Sequence, residues 1–155
     1  MRRIDFLSLY SFVLIATSIA CGGSPTSPDQ TGNSQIVQGL SGTWRASRAE
    51  FVSAANSSVR IEVISLGTVV VLTLDVSGTY TQKITDPGQQ GTTETGTWAA
   101  SREVLTLSRS ATSNTQFAYG LSGNTLTLTG GHALFDVNDD GVAEEAVLNA
   151  VLARQ

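Results

Sequence analysis

This chain holds almost none of the side chains on which enzymes commonly run. It has one histidine, His132, one lysine, Lys83, and one cysteine, Cys21, among 155 residues. A single Cys excludes an internal disulfide. A single His excludes a paired-His zinc motif, and no phosphate-cradling Gly loop is present. "GLSG", at 39–42 and again at 120–123, is not the Gly-x-Ser-x-Gly nucleophile elbow. Acid–base work needs two groups held together, whereas Glu50, Glu62, Asp75, Glu94 and Glu103 are scattered singly along the chain. These absences predict a protein that is not an enzyme and requires no cofactor.

Positive charge is equally scarce. Lys and Arg total 9 against 13 Asp and Glu, a formal net charge of −4. Between Arg109 and Arg154 there is no basic residue, while five acids fall in that interval. Nucleic-acid binding needs a basic patch, so that partner is excluded. Long apolar runs are missing too. The longest, Phe6 to Ala20, is 15 residues, short of the ~20 that span a bilayer as a helix.

What that run does resemble is a secretory signal: a basic start, "MRR", an apolar stretch, then small residues. Cys21 follows "SIA" directly and precedes Gly22. This resembles the lipobox of bacterial lipoproteins, with Ser18 where that family commonly has Leu. The resemblance implies that residues 1–20 are removed and that Cys21 becomes a diacylated, then triacylated, N-terminus. It also implies sorting to an outer membrane where the cell has one, because Gly22 is not Asp. Loss of Arg2, Arg3 and Asp5 leaves 7 basic and 12 acidic groups, net −5. Ordinary signal cleavage with a free thiol stays open as the plainer alternative. After Cys21, "GGSPTSPDQTGNSQ" has no apolar periodicity and reads as a flexible tether, residues 21–35, reaching about 20 Å on average.

What is abundant is Thr, Ser and Gly, the last at 15 residues. Branched side chains suit pleated surfaces, so the composition is that of a β protein. From Ile36 the chain alternates apolar and polar residues in short runs. "TVVVLTLDV" sets Val70, Leu72, Leu74 and Val76 on one face; "TYTQKIT" sets Tyr80 and Ile84 inward. "TETGTWAA" brings Trp98, "VLTLSR" brings Leu105 and Leu107, "TQFAYGL" brings Phe117, Tyr119 and Leu121, and "TLTLT" brings Leu126 and Leu128. Turn signals recur about every ten residues, as in a sandwich or barrel with one buried face per strand. The final "AEEAVLNAVLARQ" is helical by local propensity. A sheet gains from covering its edges, however, and the last segment is the natural closer. A closing strand is the expectation here.

"LSGTW", Leu40 to Trp44, opens this domain. Lipocalins and fatty-acid-binding proteins begin their first strand with a similar Gly-x-Trp. Together with the meander of hairpins and an Arg near the end, about residues 39–155 of a domain read as 36–155 resemble the lipocalin-like domains of bacterial exported proteins. The expected fold is therefore all-β: a small antiparallel up-and-down barrel of about 8–10 strands. By the same resemblance Trp44 would plug the closed end with Arg154 across it. Tyr80, Trp98, Phe117 and Tyr119 would line a lumen for one small apolar ligand, the first functional expectation. The second is a filled barrel that acts as a scaffold or contacts another envelope protein. In either case the protein is expected to be monomeric and held to the membrane by its N-terminal lipid.

One stretch has chemical character of its own. "FDVNDDGVAEE" places Asp136, Asn138 and Asp140 at alternate positions before Gly141. Calcium takes six to eight hard oxygens from a tightly turning segment. Asp136, Asn138, Asp140, the Val142 carbonyl and Glu144 match the first nine positions of an EF-hand loop. The twelfth, where a bidentate Glu belongs, is Val147. Two readings remain: a structural Ca²⁺ site of weak affinity, around 10⁻⁴–10⁻³ M, or a hairpin turn that uses Asn and Asp for their own backbone hydrogen bonds.

Overall fold

The computed structural model of the chain describes residues 30–155 apart from Thr112, with side chains from Ser34 onward. The expected signal 1–20, Cys21 and the tether up to residue 29 lie outside the described residues. A helix, α1 (Gln30–Leu40), is followed by nine strands: β1 (Gly42–Ser53), β2 (Arg60–Glu62), β3 (Val69–Leu74), β4 (Thr79–Thr85), β5 (Thr92–Ala100), β6 (Val104–Ser110), β7 (Ser113–Ser122), β8 (Thr125–Phe135) and β9 (Glu144–Arg154).

Strands β3 to β9 form an antiparallel meander, and β1 pairs with both β3 and β9. The sheet therefore closes into an eight-stranded antiparallel barrel, an architecture consistent with a lipocalin-like fold. β2 is the extra strand. β9 is fully extended and closes the ring, so the pairing of otherwise free edges outweighs its helical propensity.

Alternation explains the barrel wall. Leu72 and Leu74, Tyr80, Trp98, Leu105 and Leu107, Phe117, and Leu126 and Leu128 are all buried, with Thr and Ser between them facing outward. Val76 departs from the expected face: β3 ends at Leu74, and Val76 is exposed in the turn that follows. Three bulges shift the alternation, one of them at Arg109 in β6. Ser47 is an extra residue of β1 against β9, and one extra residue separates Leu128 from Gly131 in β8. Each bulge resets parity and bends its strand. Ala46 and Ala49, three apart, consequently both face inward.

The edge of β1 opposite β9 is shared. β3 takes Gly42–Arg45 and β2 takes Glu50–Val52. Where one hands over to the other, the Glu62 carboxylate takes the place of a backbone acceptor. It receives the N–H of Ala49 at 2.9 Å, of Ile64 at 3.1 Å and of Ser65 at 2.7 Å. Partial burial acts to raise the Glu62 pKa, but these donors outweigh it and hold the group below its ordinary value of 4.5.

Helix α1 begins at Gln30, inside the stretch expected to be tether, and covers the barrel end where β1 starts and β9 finishes. Among its described side chains, Ile36, Val37 and Leu40 pack into the core. Gly32, Asn33 and Gly39 weaken it locally, so its helicity comes from the packing of one face and from a cation at its C-terminus.

Candidate functional site

Consider first the end of the barrel under α1. Trp44 is completely buried, and its indole N–H donates to the Leu40 carbonyl at 2.8 Å. The Arg154 guanidinium lies over the ring, 4.2 Å from its centroid. It also donates to the carbonyls of Ser41 at 2.6 Å and Gly39 at 2.5 Å. One cation thus satisfies carbonyls at the helix C-terminus, where a positive charge complements the helix dipole. Gly42 makes this geometry accessible: its φ is +134°, and a Cβ there would sit 2.6 Å from an Arg154 nitrogen.

Of the four aromatics expected to line a lumen, three belong to the buried core cluster and Tyr119 packs against it. Tyr80, Trp98 and Phe117 are nearly inaccessible, and Tyr119 is half-buried. The Trp98 indole donates to the Asp75 carbonyl at 2.8 Å, and the Tyr119 hydroxyl to the Ser101 carbonyl at 2.7 Å. Burial raises the Tyr119 pKa. The Phe117 ring lies against Gly131 so closely that a Cβ there would collide with it. Leu121, of the same parity, is 40% exposed beside α1.

The opposite end, the mouth, carries the longer loops. On its β1–β8 side, Phe51 and Phe135 stack with centroids 4.1 Å apart and planes 9° from parallel, next to the buried Val63 and Val137. On its β4–β6 side the interior is polar. The Tyr80 hydroxyl donates to Glu94 Oε1 at 2.6 Å, and Arg109 Nη2 pairs with the other Glu94 oxygen. Burial first, then the neighbouring Glu94, raises the Tyr80 pKa well above the ordinary phenol range and keeps the hydroxyl a donor. An open groove of about 410 Å³ runs alongside, lined by residues that include Gly96, Ser108, Arg109, Ala111 and Asn114. In the sequence Glu94 looks isolated; the signal that locates it is its parity, two and four positions before Gly96 and Trp98 on the inward face of β5.

The acidic loop between β8 and β9 also stands at the mouth. Carboxylate oxygens of Asp136, Asp140 and Glu144 all lie within 4.8 Å of one another. Asp136 accepts the N–H of Asp140 at 3.1 Å and of Gly141 at 2.9 Å, and Glu144 accepts that of Val137 at 3.2 Å. Asn138 turns toward the same cluster, donating to Asp140 at 3.0 Å. Asp139 has φ 65° and Gly141 φ 90°, so the chain doubles back within a few residues. Burial raises the Asp136 pKa and the backbone donors lower it, with the net shift downward. Val142 is exposed, and Val147 lies in β9 opposite His132. The donor set is all oxygen, suited to a hard cation. His132 itself is exposed, 3.9 Å from Glu145.

Among the described residues no helix is long and apolar enough to cross a membrane. No protein-family model, curated protein or solved structure matches this chain.

Proposed function

We propose that this is an exported, lipid-anchored envelope protein whose barrel is a non-catalytic, monomeric interaction module with a filled interior. The observation that carries this reading is the waist of the barrel. Phe117 rests on Gly131, Tyr80 on Gly96, and each buried polar handle of Tyr80 and Trp98 already has a partner within the chain. A barrel of eight strands encloses just enough space for side chains or one small ligand, and here side chains take that space. What remains for recognition is the rim of the mouth.

The anchor rests on Cys21 and the residues before it. Replacing Cys21 with Ser should move the protein into the soluble fraction; continued membrane retention would contradict the anchor. The filled interior is tested by native mass spectrometry of protein purified from its host. The expected mass is the lipidated polypeptide alone. A retained small apolar molecule, lost on unfolding, would restore the ligand-carrier reading. The acidic loop adds a structural element: calcium held by Asp136, Asp140 and Glu144, with Asn138 and the Val142 carbonyl in the same loop. The convergence of three carboxylates supports it.

A further inference from the structure

The pairing of β5 on its two edges is unequal. Toward β4 it is paired from Thr92 to Thr97, but toward β6 only from Thr97 to Ala100. The physical cause is on the β6 side. Arg109 is an extra residue between Ser108 and Ser110 in the register with β7. A bulge of this kind bends its strand and ends the adjoining pairing. Gly96 marks the parting: a Cβ there would collide with the Ser108 carbonyl and lie 2.6 Å from the Tyr80 ring. Below it, Arg109 reaches across to Glu94 and ties the two strands together from the inside.

Which backbone groups this exposes follows from alternation. The Trp98 N–H donates to the Gly78 carbonyl, toward β4. Residues of the same parity, Gly96 and Glu94, therefore also bond toward β4, and Thr95 and Thr93 turn their N–H and C=O the other way. Beyond Thr97 no residue of β6 is paired with them. A short run of ladder groups with no β6 partner in the register, in a segment about 16 Å long, thus borders the groove of about 410 Å³.

We propose that this parting between β5 and β6 receives an extended peptide of a partner protein, which adds to the edge of β5 as an antiparallel or parallel strand. The proposal deepens the interaction-module reading and rests on it. The groove selects the occupant's form. The β6–β7 hairpin tip, with Ala111 and Asn114, walls the edge, so a single flexible strand can enter where a second folded barrel cannot. Charge selects its chemistry. Lys83, the only lysine, is exposed and pairs across the sheet with Thr93, and Arg109 lines the groove. Glu94, the nearest acid on β5, is already engaged by Tyr80 and Arg109. Two cations thus stand against one carboxylate at this edge of an acidic protein, and the peptide that fits the surplus positive charge, with Lys83 outside the ion pair, is acidic and rich in β-branched residues.

Two measurements test this on the full chain. In the free protein, amide exchange at Thr93 and Thr95 should be fast, while Glu94 and Gly96 are protected. Equal protection of all four would overturn the open edge. Second, random octapeptides are selected by display on the purified protein. Enriched peptides should slow exchange at Thr93 and Thr95, and Thr95→Pro should weaken their binding about tenfold by removing one donor. Proline is tolerated where the lost N–H faces no partner, so Thr95→Pro should melt close to wild type; if it does not, the exchange signature in the unmutated chain decides alone. Failure to enrich any peptide, or peptides that leave Thr93 and Thr95 unprotected, overturns the site. In the latter case the module reading survives with its contact elsewhere on the rim.

Discussion

At the end where β1 starts, a buried indole, one apolar helix face and a guanidinium close the barrel, and the indole N–H and the guanidinium both have partners inside the chain. At the end where β1 finishes, closure is partial. A pair of stacked rings fills one side, while the other holds an ion pair, a groove and strands that part. The acids differ as well: five of them stand in the stretch 136–145 at the mouth, against Asp75 and Glu103 in the turns of the α1 end, where Arg154 meets the helix. Apolar matter and one well-placed cation suffice where only rigidity is needed. Polar groups with spare hydrogen-bonding capacity collect where another molecule can approach.

The largest expected effect comes from the closed end. Trp44→Ala removes the central side chain of that seal and should cost about 3–5 kcal/mol in chemical denaturation; a loss under 1 kcal/mol would show that the mouth, not the seal, dominates stability. Arg154→Met keeps an apolar stem over the indole but leaves the carbonyls of Gly39 and Ser41 without their donor. We expect a loss of about 2 kcal/mol together with faster amide exchange throughout α1, and an unchanged helix would remove the link between cation and helix. At the opposite end, Glu62→Gln should cost about 1–2 kcal/mol by weakening three backbone contacts. Its pH dependence has a fixed sign. The folded pKa is depressed, so the carboxylate's contribution is fully present above the ordinary value of 4.5 and is lost as pH falls through the folded value. The gap between wild type and variant should therefore narrow in acid; a gap that widens would contradict the assignment. The smallest effect is the metal's. A tenfold excess of calcium over its dissociation constant would stabilise the fold by about 1.4 kcal/mol, raising the melting temperature relative to chelator. Identical melts would leave the acidic loop as a turn.

The barrel wall was legible because one buried face per strand imposes a period of two, and Leu72, Leu126 and Leu128 obey it. The closing strand was legible only through the argument about edges, since β9 reads locally as helix. The bulges at Ser47 and Arg109 were not legible. Each is a single inserted residue, and nothing in its composition distinguishes it from its neighbours. For the same reason the mouth network was hidden: Tyr80, Glu94 and Arg109 belong to three strands, and only the register brings them together. Helix α1 escaped notice because its support is tertiary, coming from a barrel end and a guanidinium 115 residues away from Gly39.

That last separation bears on how the molecule assembles. Trp44 pairs with Arg154, so the seam joining β1 to β9 connects the two ends of the folded sequence. A chain made from its N-terminus must hold β1 with one side vacant until β9 has been synthesised. Bringing together ends more than a hundred residues apart carries a closure entropy of about 4 kcal/mol, and contacts so distant in sequence slow folding. Until that moment β1 is a sticky ribbon, and the helix ahead of it has no cation to hold its end. Zipping the seam and capping the helix are thus one event, carried out by the same closing strand.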